Sequence, residues 1–221
     1  MATAEAAMPR VLLISLNFRP IFDNMYDPLL AKIRSKATIQ RAKKATSAIR
    51  LVLEEPRPVA VLITDEAITT TQNSAVWDTV LGYVRQGGTS VVMGHFPGFV
   101  TPNYVGPFFA KARLQWRSGS YYRSAFALNQ FVPDQDLVAQ LPHQYSQKAV
   151  LVRDVTPSEA WYLTVDISII QAQAFGPNSD QVVRETPVAF AHIGEGKLGY
   201  VGDVNAEEGS NTVILVMCGL S

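Results

Sequence analysis

In this chain, side chains able to do chemistry stand directly after apolar runs. His95 follows TSVVMG, Asp65 and Glu66 follow VAVLIT, and Asn17 and Arg19 follow VLLISL. A histidine beside a carboxylate acts as a general acid or base near neutral pH, because its pKa of about 6.5 is raised by the neighbour. His95 with Asp65 or Glu66 is therefore the catalytic candidate, working without a covalent intermediate. The bland alternatives are a packed histidine and carboxylates that cap helices or form turns. Arg19 suits bidentate capture of a carboxylate or phosphate, with Phe18, Phe22 and Tyr26 as an aromatic wall. Its alternative is an ion pair with Asp23 or Asp65.

Other polar residues are candidates to join this set. They are Tyr121, Tyr122 and Arg123 in one segment and Asp203, Asn205, Glu207 and Glu208 in another. The acidic run from Asp203 to Glu208 is alternatively a cap on the last helix. The ligand contacts expected are Asn17, Arg19, Phe96, Tyr121, Tyr122, Arg123, Asp203 and Asn205. Such donors have the chemistry to bind a divalent metal. No zinc-ligand spacing occurs, however, and neither metal nor cofactor is expected. Gly-x-Gly-x-x-Gly is missing after the first apolar run, which speaks against a dinucleotide site. Gly-x-Ser-x-Gly is missing too, which speaks against a hydrolase elbow.

The elements that must position these residues are legible from periodicity. Val11 to Leu16, Ala37 to Ala42, Val59 to Ile63 and Thr89 to Met93 read as strands, mostly short continuous apolar runs. Between them, Met25, Tyr26, Leu29, Leu30 and Ile33, then Ala48, Ile49, Val52 and Leu53, then Val76, Trp77, Val80, Leu81 and Val84 fall at helical spacing. This alternation predicts a flavodoxin-like three-layer α/β fold with a mainly parallel sheet. In such sheets ligands bind beyond the carboxyl ends of the strands, where His95, Asp65, Asn17 and Arg19 lie. Further along, Tyr121 to Leu128, Lys148 to Arg153 and Glu159 to Leu163 read as strands, and Pro133 to Tyr145 as a polar connection. Pro187 to Val201 reads as a C-terminal β-hairpin, and Ser210 to Leu220 as a buried closing helix. Residues 10–220 form one expected domain, with residues 1–9 a flexible N-terminus.

The bulk numbers narrow the function. The 221 residues are 48% hydrophobic and 17% charged, enough for a large core. Nineteen basic residues balance nineteen acidic ones, so nucleic acid is not an expected partner. No apolar run reaches the length of a membrane span, and no secretion signal is evident. With Cys218 as the only cysteine, a reducing, cytoplasmic setting is expected.

The segments VAVLIT, WDTVLGYV, RQGGT and SVVMG, with the later GEGKLGYVGDVN, resemble the class I glutamine amidotransferase-like superfamily. The similarity is to the branch holding trehalose-utilisation-type proteins and the trimerisation domain of some β-galactosidases. Ile14 to Asp23 also resembles an ISL-x-FRP-x-FD motif of a group of fungal proteins. In true amidotransferases the central strand ends in Gly-x-Cys-x-Gly, and a nearby histidine and glutamate complete a triad. Aligned by position, Gly94-His95-Phe96-Pro97-Gly98 places Phe96 where that cysteine would sit. The triad histidine would fall between Gly202 and Glu207, where none exists. Cys218 reads as a core residue. The resemblance thus implies the scaffold without glutaminase activity. The chain is then expected to bind a small polar metabolite at the strand tips, or to act as the acid/base enzyme outlined above. A third reading is a homo-oligomer or interaction module that uses the aromatic segment from Phe96 to Trp116.

Overall fold

A computed structural model describes residues 8–133, 135–165 and 183–221. Most of the expected flexible N-terminus lies outside the described residues. The first half alternates strand and helix. β1 (Arg10–Ile14) leads through α1 (Ile21–Met25) and α2 (Asp27–Arg34) to β2 (Thr38–Ala42). Next come α3 (Ala45–Leu53), β3 (Ala60–Ile63), α4 (Ser74–Arg85) and β4 (Thr89–Val92). Two short helices follow, α5 (Phe96–Phe99) and α6 (Pro102–Ala110).

The main sheet has the order β2-β1-β3-β4-β10-β9. β9 (Val188–Ile193) and β10 (Gly196–Val201) are the expected hairpin. β10 runs parallel to β4, and β9 closes the edge antiparallel. β1 is buried at every position because both of its faces are covered. Leu12 and Ile14 join one apolar cluster with Val52, Trp77 and Val80 of α3 and α4. Val11 and Leu13 join the other with Leu29 and Ile33 of α2 and with Val213 and Ile214. The last pair belongs to α8 (Glu208–Met217). Helix, sheet and helix thus form the three layers expected, and continuous apolar runs mark strands sandwiched between helices.

A second sheet, order β7-β5-β6-β8, was only partly legible. β5 (Arg117–Leu128) and β6 (Gln144–Val155) are each twelve residues long, well beyond the apolar stretches Tyr121 to Leu128 and Lys148 to Arg153. Their outer portions, such as RSGS and QYSQ, are polar, so pairing rather than burial extends them. The connection between these strands holds the one-turn helix α7 (Gln135–Val138). The expected strand at Glu159 to Leu163 is shifted to β7 (Tyr162–Thr164), with a lone bridge at Ala160. β8 (Val183–Thr186) completes the sheet. This sheet is tied to the tip of β10, where Val150 N–H donates to Gly202 O at 2.9 Å and Val204 N–H to Lys148 O at 3.0 Å. Val150 and Tyr121 thereby come to overhang the carboxyl ends of the parallel strands.

Candidate functional site

The chain leaves β4 through a tight bend. Met93 N–H donates to Ile63 O at 2.9 Å and His95 N–H to Thr64 O at 2.8 Å, so β4 stays stitched to β3 up to the turn. Between them Gly94 adopts φ +73°, the left-handed region. A Cβ there would lie 2.7 Å from the Phe22 ring and 3.0 Å from Thr64 O. The bend therefore falls on a residue with no side chain and no room for one. The position expected at the bend, Phe96, is instead the first residue of α5, fully buried and packed on Phe108 at 5.2 Å between ring centroids. Phe96 is therefore corrected from ligand contact to core residue. Side chains after a bend are placed by the helix that follows, which position in a motif does not reveal.

His95 caps α5, and its ring meets the edges of Phe22 and Phe99, each at 5.6 Å. Among the described residues neither ring nitrogen hydrogen-bonds a protein group. Burial, and then the nearby Arg19 charge, lower its pKa, with Glu66 opposing them. His95 is thus neutral at pH 7, one nitrogen a donor and the other an acceptor.

The expected pairing of His95 with Asp65 does not form. Asp65 caps a 3₁₀ turn, Glu66–Thr69. Its Oδ1 accepts from Asn17 N–H at 3.1 Å and Ala67 N–H at 3.2 Å, while Oδ2 is buried without a partner. Burial pushes its pKa up to about 6 despite those donors. Glu66 is drawn the other way. Arg19 donates to both its oxygens at 2.8 and 3.1 Å, and Asn17 Nδ2 donates at 2.8 Å. Burial opposes ionisation there, but these donors hold its pKa down. The partner of Arg19 is therefore Glu66, and Asp23 pairs with Arg41. Arg19 also lies over the Phe99 ring at 4.0 Å, so its charge is neutralised and its plane is part of a wall.

A cleft of about 630 Å³ opens beside His95. Ile21, Met25, Pro97, Phe99 and Val150 supply much of its apolar lining, and His95, Ser118, Tyr121 and Asn205 its polar groups. The volume suits a small-molecule site, as does an apolar lining with few polar groups. Of the sequence candidates, His95, Tyr121 and Asn205 border it. Asn17 and Glu66 border another cleft, of about 380 Å³, which His95 does not line. Tyr122 packs against Phe126. Arg123 pairs with Glu207 at 2.6 Å. Asp203 is buried, accepting from Asn205 N–H at 2.8 Å and Glu207 N–H at 2.7 Å. It thereby braces the loop leading into α8, close to the capping role weighed for the acidic run. Ile21, Ser118, Val150 and Val204 were missed, because they reach the cleft from separate elements and carry no local signal.

The aromatic segment is mainly core. Phe96, Phe108, Phe109 and Trp116 are buried, whereas Phe99 and Tyr104 are more than half exposed. Cys218 is buried at the end of α8, and burial pushes its thiol pKa up to about 12. Among the described residues no group of three or more His, Cys, Asp or Glu is arranged to hold a metal. Among them, too, no helix is long and apolar enough to cross a membrane.

No protein-family model matches the sequence, and no curated protein matches it. Solved structures do share the fold. A ThuA-like protein from Bacteroides uniformis superposes with a TM-score of 0.60 at 10% identity, over 98% of this chain and 92% of that one. A β-galactosidase from Bacillus circulans sp. alkalophilus gives 0.57 at 12% identity, over 96% of this chain and 31% of that one. A GMP synthase-type protein from Thermoplasma acidophilum gives 0.50 at 5% identity, over 98% of this chain and 95% of that one. At these identities the likeness is one of fold, which this chain shares with ThuA-like and amidotransferase-like proteins.

Proposed function

We propose that this amidotransferase-like fold binds a small molecule in the cleft beside His95 and does not hydrolyse glutamine. The observation that carries the reading is the bend at Gly94. The strand tip that opens onto the cleft offers a neutral imidazole with both nitrogens unspent and neither a thiol nor a hydroxyl to serve as an amidotransferase nucleophile. Cys218 supports it from the other side, since a buried thiol with a raised pKa is a poor nucleophile. The lining favours a ligand with an apolar body and a polar group for His95. Arg19 and Arg123 already hold carboxylates and contribute little free charge.

A thermal-shift screen with small metabolites tests this, because a ligand that prefers the native state stabilises it by about 2.7 kcal/mol at a hundredfold excess over Kd. His95→Ala is expected to weaken any hit roughly tenfold, the scale of a lost hydrogen bond. A hit of unchanged affinity in His95→Ala counts against the cleft. Ammonia release from glutamine that disappears in Cys218→Ser overturns the second half of the reading.

A further inference from the structure

The His95 cleft does not end at Gly119. Pro102, Ser118 and Gly119 line it and also line an adjoining groove of about 550 Å³. Asn103, Arg117, Ser120, Arg153 and Glu185 are among the groove's other walls. The chemistry changes along this path from apolar beside His95 to polar and charged beyond Gly119.

Strand register builds the charged end. Arg117 of β5 stands opposite Arg153 of β6, and Arg153 opposite Glu185 of β8, in one row across the second sheet. Like charges directly opposite one another on antiparallel strands repel. Arg117 is partly compensated by Asp154 at 3.1 Å. Glu185 would be the natural partner of Arg153, yet its Oε1 accepts from Ser120 N–H at 3.0 Å and Ser120 Oγ at 3.1 Å. Among the described residues Arg153 makes no ion pair, and it is exposed on the groove. A bulge between Ser118 and Tyr121 sets this arrangement. It sits where cleft and groove meet and places Tyr121 on the cleft side and Ser120 on the groove side. Gly119 permits it, since a Cβ there would come within 2.9 Å of Leu151 O and 3.1 Å of Glu185 Oε1.

We propose that Arg117 and Arg153 form an anion subsite at the far end of the His95 cleft, so that the ligand is an elongated molecule with an apolar body and a terminal carboxylate or phosphate. The proposal rests on the reading of the His95 cleft as the ligand site. Two arginines lining one groove suit an oxyanion, because a guanidinium's forked donors match two oxygens at once and Asp154 engages Arg117 through its Nε. A bound anion also offsets the repulsion between the two arginines.

Calorimetric titration of the whole chain with phenylalkanoates of increasing chain length, the matching phenylalkyl phosphates and the matching neutral amides tests it. At one chain length the carboxylate or the phosphate is expected to bind about tenfold tighter than the amide, as for a charged hydrogen bond. Which anion gains more distinguishes the two chemistries. Arg153→Gln is expected to bring the anion-to-amide ratio to about one, with Arg117→Gln as a second variant and melting temperature as the check on folding. Equal binding of anion and amide at every length, or a preference that survives both variants, overturns the subsite. If amide binding is meanwhile lost in His95→Ala, the cleft reading stands without it. If no member of the series binds, the elongated-ligand subsite falls, and the cleft reading is decided separately by the metabolite screen.

Discussion

Gly94 and Asp65 are the residues whose local state most constrains the site. Any L side chain at position 94 meets Phe22 and the Thr64 carbonyl and must hold φ at +73°. Gly94→Ala is therefore expected to cost about 1–3 kcal/mol in a urea melt, and wild-type stability would show that the bend relaxes freely. Asp65 has a folded pKa near 6, raised by burial from the ordinary carboxylate range. Between about pH 4 and 6 the native state thus holds a proton that the unfolded chain has lost. Stability falls as pH rises through that window and stays lowered above it. Asp65→Asn removes the titration and keeps the cap acceptor. Relative to wild type it is expected to gain on the order of 2 kcal/mol from pH 4 to pH 7. A pH-independent difference between the two proteins would contradict the raised pKa. Both residues were visible in the sequence as polar or glycine positions after strands. Their roles were not, because a backbone angle and a buried oxygen are set by neighbours from β1 and α1 as well as by their own segment.

At the scale of the element, the segment from β4 through α6 divides its aromatics between core and cleft. Phe96 and Phe99 lie three residues apart in the same one-turn helix. Phe96 faces Phe108 and is fully buried, whereas Phe99 is 55% exposed beneath the Arg19 guanidinium. Phe96→Ala is expected to cost about 3–5 kcal/mol in chemical denaturation, whereas Phe99→Ala costs under about 1 kcal/mol yet weakens ligands found by thermal shift. The reverse ordering would mean that α5 is turned about its axis. The sequence presents these aromatics without sorting them, since a one-turn helix has too few residues for a periodic pattern. The parallel strands were readable for the opposite reason, as burial on both faces leaves unbroken apolar runs. β5 and β6 were read short because their polar ends carry no such mark.

For the molecule as a whole, two apolar clusters on either side of the main sheet hold the layers together, and Cys218 belongs to the one formed with α2 and α8. Its thiol is expected to resist iodoacetamide in the native protein and to react on unfolding, followed by mass spectrometry; fast native labelling would place it outside the core. The second sheet, docked on the tip of β10, completes the cleft by bringing Val150 and Tyr121 over His95. By itself, the sequence determined the three-layer α/β fold, the placing of His95 at a strand tip and the absence of a cysteine or serine beside it, because apolar periodicity and residue chemistry are local properties. Only the tertiary structure decided that Gly94 makes the bend, that Glu66 rather than Asp23 or Asp65 holds Arg19, and that Arg117, Arg153 and Glu185 share one row. Those relations depend on strand register and on packing between segments tens of residues apart, which no local pattern encodes.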